Sequence, residues 1–269
     1  MTINFQITNE IIQSVIEITK QAGSVIMDVY KTNFEIHIKN DKSPVTEADT
    51  KANQIIDDGL LKITPDIPIL SEEGRNIPFE ERSKWESFWL VDPLDGTKEY
   101  IKKNDEFTVN IALIQNGKPT FGVVYAPALD ILYWGEVGAG AYKISGESIK
   151  VKINVLDELN NPVLVAGSRS HPSERMNAFM GQFKESEVRP MGSSLKVCLV
   201  ADGSVHLYPR LGPTMEWDTG AAHAILKASG GEAIIHGTNE PLRYNKENLL
   251  NPEFIASSSN VIAAINHLN

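Results

Sequence analysis

The chain has 269 residues, of which 42% are hydrophobic and 22% charged, ordinary figures for a globular enzyme with ample core. Its formal net charge of −10 argues against nucleic acid as a long-range electrostatic partner. It does not argue against a phosphorylated small molecule, because metal ions reverse the local sign.

In chain order, Ile7, Ile11, Ile12, Val15, Ile16, Ala22, Val25, Ile26 and Val29 fall near helical spacing and predict a long amphipathic helix. Glu10 and Glu17 interrupt it, no basic segment precedes it, and no apolar run approaches bilayer length. The expectation is a cytoplasmic protein with no strong membrane signal. "PVTEADTKANQIIDDGLLK" predicts a second helix, with Thr46 as N-cap and Ala48, Ala52, Ile55, Ile56 and Leu60 on one face. "IPIL" predicts a short strand broken by "SEEG". "FWLV" predicts a buried strand that stops at Asp92 and turns through Pro93. "FTVNIALIQNGKPTFGVVYAP" predicts two strands joined by Asn116-Gly117, the strongest short hairpin signal. "ILYWGEV" and "GAYKI" extend that antiparallel meander.

Past residue 160 the rhythm changes. "PVLVAGS" predicts a strand, "PSERMNAFMGQF" a helix opened by Pro172, "SSLKVCLVADG" a helix and "VHLYP" a strand. "WDTGAAHAILKASGG" predicts a helix ending on glycines, and "EFIASS" a last strand before a terminal helix. The lone cysteine, Cys198, excludes an internal disulfide framework, fits a reducing compartment, and reads as a small buried hydrophobe. Together these elements predict an α/β (α+β) fold, a layered α-β-α-β-α sandwich. It is expected to have two lobes, over 1–150 with most of the candidate acids and over 151–269, without a flexible hinge.

The informative stretch is "VDPLDGT". Residues three apart on a regular strand face opposite sides, so Asp92 and Asp95 converge only if the chain has turned, as Pro93 and Gly96 imply. With the Leu94 carbonyl they form an oxygen-rich corner suited to a hard divalent cation. The Gly96 and Thr97 amides, at a helix start, are placed to face a phosphate. Taken alone, the same stretch also reads as a surface turn. An EF-hand fails on spacing, since it needs acids at alternate positions and a distant glutamate. An Asp-x-Asp phosphatase motif is one residue too tight. Further acids follow strands or open helices: Glu72 and Glu73 in "LSEEG", Asp218 in "EWDTG", and Asp49 in "PVTEADT". Each has a plain structural alternative, namely a solvated loop, a helix-dipole acid and a capping box.

"SPVTEAD", "LSEEG", "WLVDPLDGTKEYI" and "EWDTGAAHAIL", in that order, resemble the lithium-sensitive, magnesium-dependent inositol monophosphatase superfamily, from roughly residue 43 onward. "GSRSHP", "MGSSLKVCLVADG" and "LYPRLGPTMEWDT" are similar to its bacterial CysQ-type 3′(2′),5′-bisphosphate nucleotidase branch. The resemblance implies cleavage of adenosine 3′,5′-bisphosphate to AMP and phosphate, with two to three Mg²⁺ per active site. It implies that Glu72, Asp92 and the Leu94 carbonyl hold one ion, and that Asp92, Asp95 and Asp218 hold a second. A third would use Glu72, supported by Glu73. Asp49 and Thr97 would orient and deprotonate the attacking water in an in-line displacement. Ser168, His171, Gly192 and Lys196 would line the nucleotide site, and Arg169 and Arg210 offer cations to the retained phosphate. A structural alternative stays open for His171 as a helix-entry residue and for Lys196 as a solvated helix charge. The rivals are an inositol- or sugar-phosphate phosphatase and a non-catalytic nucleotide- and metal-binding regulator. The partner is a small-molecule nucleoside bisphosphate, and a homodimer is left open.

Overall fold

The computed structural model describes residues 5–38, 44–146, 150–168 and 174–266. Chain order begins with α1 (Asn9–Tyr30), the two-stranded ribbon of β1 (Ile36–Ile38) and β2 (Pro44–Thr46), and α2 (Glu47–Ile63). There follow β3 (Ile69–Ser71), α3 (Phe79–Arg82), β4 (Ser87–Asp95), α4 (Thr97–Ile101), β5 (Thr108–Gln115), β6 (Lys118–Ala126), β7 (Ile131–Glu136), β8 (Gly140–Ser145) and β9 (Val151–Ile153). The second half holds β10 (Val163–Gly167), α5 (Glu174–Met180), β11 (Ser186–Pro190), α6 (Leu195–Ala201), β12 (Leu207–Arg210), α7 (Glu216–Ala228), β13 (Gly231–Ile235), β14 (Phe254–Ser258) and α8 (Ser259–Asn266).

Strands β3 to β9 lie side by side in chain order in a seven-stranded sheet, antiparallel except for β3 beside β4. The second sheet has five strands in the order β11-β10-β12-β14-β13. Side-chain alternation decides the layering. Trp89, Val91, Val109, Ile111 and Val123 pack with Ile12, Val15, Ile26, Ala52 and Ile56 of α1 and α2. On the opposite face, Phe88, Leu90, Ala112 and Val124 meet Cys198, Val200, Ala221 and Ile225 of α6 and α7, which also cover Ala166, Ala233 and Ala256 of the second sheet. Val165, Leu207 and Ile255 then turn to Phe179 of α5 and to Val261 and Ile265 of α8. The result is the predicted α-β-α-β-α sandwich. The first sheet is covered on both faces, which is why its strands read as continuous apolar runs. Cys198 is fully buried, and none of the described helices is long and apolar enough to cross a membrane.

The hairpin turn carries positive φ at both Asn116 (51°) and Gly117 (70°), as a type I′ turn requires. One local expectation is corrected. The chain does not leave the sheet at Pro93, because β4 continues to Asp95. Asp92 pairs with Asn110 and Asp95 with Thr108, so β4 has one more residue than β5 across this step, a β-bulge. Strands β11 and β13, also not anticipated, complete the second sheet.

Helix α7 approaches the first sheet unusually closely. A Cβ on Gly122 of β6 would stand 2.2 Å from the Ala221 carbonyl oxygen, so only glycine permits this seating. Gly122→Ala should therefore destabilise the protein by about 3 kcal/mol, the upper end for overpacking against a rigid neighbour. An unchanged Tm in scanning calorimetry would show that α7 does not need that contact.

Candidate active site

The bulge sets the site. Asp92 follows Leu90 on the face that α7 covers, and the extra residue returns Asp95 to that face, while Leu94 packs into the α1–α2 core. Glu72 follows β3 directly, where its amide donates to the Val91 carbonyl at 3.1 Å. Asp218 is the third residue of α7, and its Oδ2 accepts from the Met215 amide at 2.9 Å, closing the first turn. Glu72, Asp92 and Asp218, drawn from three separate elements, offer carboxylate oxygens that lie within 4.8 Å of one another.

These oxygens are poorly compensated. Asp92 is 1% exposed; its Oδ1 accepts from the Leu94 amide at 3.0 Å, and its Oδ2 is buried with no hydrogen-bond partner. Burial, then the charges of Glu72, Asp95 and Asp218, push the Asp92 carboxyl well above the usual range. Burial and then Asp95 raise Asp218 to about 8, against the opposing pull of the Met215 amide and Arg210. A buried carboxylate oxygen without a donor, beside two more carboxylates, fits a hard cation with oxygen ligands.

Asp95 stands outside this set of three. Its Oδ2 accepts from Ser193 Oγ (2.5 Å), the Ser194 amide (2.7 Å) and Ser194 Oγ (2.8 Å). Thr97 Oγ1 lies 3.5 Å from the Leu94 carbonyl. Asp49 is buried, and its Oδ2 accepts from both the amide (2.8 Å) and the hydroxyl (2.7 Å) of Thr46. The capping-box role is therefore real. Among the described residues no hydrogen bond joins Asp49 to Thr97. Burial raises the Asp49 carboxyl, partly offset by Thr46, and half-buried Glu73 adds like charge to it.

Asp95, Gly96, Ser168, Lys196, Tyr208, Arg210 and Asp218 line a cavity of about 200 Å³. A neighbouring cavity of about 350 Å³ shares Glu99, Ser168 and Lys196, and adds Gly192, Met191 and Asn104. Together they reach the size of small-molecule sites. A larger cavity, about 690 Å³, opens beside Ser87 at the far end of β4. Strand rise puts that roughly 25 Å from Asp95, away from the acids. Lys196 is 8% exposed, not a solvated charge; Nζ donates to the Ser193 (2.8 Å) and Met191 (3.4 Å) carbonyls, and burial lowers it to about 8. Arg210 donates to the Pro213 carbonyl at 2.6 Å, and its Nε is buried without a partner. Gly192 is needed because a Cβ there would meet the Glu106 carbonyl at 2.8 Å. Arg169 and His171 lie outside the described residues.

An inositol monophosphatase family model matches residues 8–267. The chain is 47% identical over 247 residues to the 3′(2′),5′-bisphosphate nucleotidase CysQ of Salmonella typhimurium, covering 90% of this chain and 98% of that protein. It is 46% identical to the protein of the same name from Escherichia coli K12, covering 91% and 99%. The chain belongs to the inositol monophosphatase family. A crystal structure of CysQ from Bacteroides thetaiotaomicron, a bacterial member of that family, superposes with a TM-score of 0.81 at 41% identity, covering 91% of this chain and 96% of that one. The family is metal-dependent, in keeping with the acidic cluster.

Ser193, Ser194, Thr108 and Asn110, which hydrogen-bond around Asp95, escaped the sequence reading, as did the cavity residues Glu99, Tyr208, Met191 and Asn104. Asn110 carried a signal, a lone amide inside the apolar run "FTVNIALI". The serine pair did not, because serine before a helix ordinarily reads as a cap.

Raised carboxyl pKa values fix a sign. The folded chain without metal holds the Asp218 proton more tightly than the unfolded chain, so this stability is complete below about pH 4 and is lost as pH rises through about 8. A cation favours the ionised form and displaces the proton. The gain in Tm from Mg²⁺ over EDTA should thus grow between about pH 5 and pH 8. A gain independent of pH would show that these carboxylates are ionised without metal.

Proposed function

We propose that this chain is a Mg²⁺-dependent 3′(2′),5′-bisphosphate nucleotidase, which removes the 3′-phosphate of adenosine 3′,5′-bisphosphate to give AMP and phosphate. The observation that carries this reading is the Glu72–Asp92–Asp218 set beside a cavity that also presents Lys196 and Arg210. The name carried by relatives at 46–47% identity supports it. A cytoplasmic setting fits a chain whose one cysteine, Cys198, is buried and has no partner for an internal disulfide.

Glu72, Asp92 and the Leu94 carbonyl would hold one Mg²⁺, and Asp92, Asp95 and Asp218 a second; Glu72, with Glu73 behind it, would serve a third. When bound, these cations offset the charge of the phosphate ester and ready water as a nucleophile. Asp49 would take the proton through Thr97, and burial, by raising its pKa, strengthens it as a base. Because its Oδ2 serves the Thr46 cap, Asp49 also fixes where α2 begins. Gly96, with φ of 91°, turns the chain sharply between β4 and α4. That turn brings Thr97 back beside the Leu94 carbonyl. Lys196 has three N–H donors and spends two on main-chain carbonyls, leaving the third for a ligand oxygen. Arg210 Nε is likewise free. Two such donors suit a second, retained phosphate, whereas a sugar monophosphate has no group that needs them. Ser168, Gly192 and His171 would line the nucleotide site, and Arg169 would offer a further cation to the retained phosphate.

A panel of nucleoside bisphosphates, inositol phosphates and sugar phosphates, assayed for phosphate release in Mg²⁺ and in EDTA, tests the assignment. High kcat/KM confined to the nucleoside bisphosphate is expected; a preference for inositol phosphate would replace this reading with its rival. Lys196→Met keeps the volume but removes the charge. It should raise KM for the bisphosphate about tenfold and that for a monophosphate ester less than twofold. The same cation is lost above about pH 8, so KM for the bisphosphate should climb there in the unmodified chain. Equal losses on both substrates would move Lys196 out of the specificity site.

Asp49→Asn separates base from cap, because the amide oxygen still accepts from Thr46. A fall in kcat of about 10²–10⁴ with little change in Tm is expected. Full activity in that variant would leave Asp49 with the cap alone.

A further inference from the structure

Ser194 precedes α6 and is 4% exposed. Three chain segments converge on its hydroxyl oxygen, which lies 2.8 Å from Asp95 Oδ2, 2.6 Å from the Asp218 main-chain carbonyl and 2.9 Å from Asn110 Nδ2. A hydroxyl has one hydrogen and two lone pairs. Asn110 is the donor in its contact, because neither Asp95 nor the Asp218 carbonyl has a hydrogen to give, so the Ser194 hydrogen points to one of them and its oxygen accepts from Asn110 Nδ2. The Ser194 hydrogen is thereby directed away from Asn110, toward the two acceptors Asp95 and Asp218. It can serve only one of them at a time.

Those two acceptors belong to opposite walls of the site. Asp95 ends β4 in the first sheet, and Asp218 sits in the first turn of α7. Glu72 and Asp92 lie on the sheet side, so the 4.8 Å spacing of the carboxylate set depends on how far α7 stands from β4. Magnesium demands near-octahedral oxygen geometry at about 2.0–2.1 Å and tolerates little drift. The far side of the same α7 turn is already fixed: Asn251 Nδ2 donates to the Met215 carbonyl at 2.8 Å and to Thr219 Oγ1 at 3.0 Å. Ser194 supplies the tie on the metal side.

We propose that Ser194 is a positioning residue of the metal centre: its hydroxyl accepts from Asn110 of the first sheet and, with its hydrogen on the Asp218 carbonyl, joins that sheet to α7 and sets the spacing of the two walls. The inference rests on the metal-binding reading above and concerns affinity for the cation, not contact with substrate. Its hydrogen has two acceptors, and the tie between sheet and helix is made when Asp95 turns its charge toward a cation. The proton then goes to the Asp218 carbonyl, and the oxygen still accepts from Asn110.

The test is calorimetric titration of the whole chain with Mg²⁺, and with Mn²⁺ as a tighter-binding probe. Ser194→Ala leaves the backbone amide on Asp95 but removes the tie. It should weaken cation binding about 10–100-fold, the range for lost outer partners of metal ligands. KM for the bisphosphate at saturating metal should stay within about twofold. Asn110→Ser removes the donor from the first sheet and should weaken binding in the same direction. The double variant should bind no more weakly than Ser194→Ala alone, because both act through one tie. Tm in EDTA confirms which variants are folded. If Ser194→Ala does not fold, wild-type cation affinity in folded Asn110→Ser overturns the proposal. Parent-like affinity in folded Ser194→Ala, whatever its Tm, shows that Ser194 only packs. Failure of the parent chain to bind either cation is a separate result, and it removes the metal centre itself.

Discussion

The structure turns on the placing of like charges where water cannot reach them. At the 4.8 Å spacing of Glu72, Asp92 and Asp218, two ionised carboxylates repel by about 3–4 kcal/mol at an effective dielectric constant of 20. Amides of Leu94 and Met215 each offset part of that for one oxygen. Nothing does so for Asp92 Oδ2, which is buried and without a donor. A protein can leave such a group protonated, as burial favours, or supply a cation. The surroundings fit the second course: the three clustered ligand atoms are all carboxylate oxygens, and the cavity beside Asp218 gives access. The burial that makes the carboxylates costly is what makes the set a cation trap.

Holding that arrangement falls to α7, and the fold anchors its first turn on several sides. Gly122 lets the helix backbone rest directly on β6. The segment after β13 is then tied across it. Buried Glu216 accepts from the amides of Asn245 (2.6 Å) and Lys246 (3.0 Å) and from Lys246 Nζ (2.5 Å). Arg82, 3% exposed, donates to Asn245 Oδ1 and to the carbonyls of Lys246 and Glu247. Burial raises the Glu216 carboxyl and Lys246 pulls it back, so this ion pair is not chiefly a source of stability. Its value lies in direction. Each bond fixes one atom of the strap relative to α3 or α7, and the Asp218 side chain inherits that registration.

How much of this the sequence revealed follows from range. Signals carried within a few residues were legible: the Asn116-Gly117 turn, the Thr46–Asp49 box, and the β-rich runs of β5 and β6. The layering was legible too, because strands covered on both faces leave long apolar runs. What depended on distant partners was not. Strand β11 is an edge strand whose residues are mostly exposed, so it lacks alternation. Strand β13 follows the glycine that ends α7 and was absorbed into that helix's termination. The bulge in β4 is visible only against β5, since one extra residue has no meaning until the register of the partner is known. The site acids were recognisable by type and order. The three donors on Asp95 were not, because Ser193 and Ser194 lie 98 and 99 positions away in the chain.

Charge balance within the cavity links the two functions assigned to it. Asp95, Glu99 and Asp218 face Lys196 and Arg210 across the smaller cavity, and Glu72 and Asp92 stand behind Asp218. With the acids ionised, the region is net negative and repels a phosphorylated ligand, in keeping with the acidic chain as a whole. Lys196 and Arg210 cannot reverse that by themselves. Burial and Arg210 both lower the Lys196 pKa, while Asp95, Glu99 and Glu106 raise it. Cations at the carboxylates change the sign at one end of the cavity and leave the two bases free at the other. A ligand with one phosphate gains from the first change alone. On the proposed function, a ligand with two phosphates spaced by a ribose would gain from both, so an acidic protein could favour the more highly charged substrate.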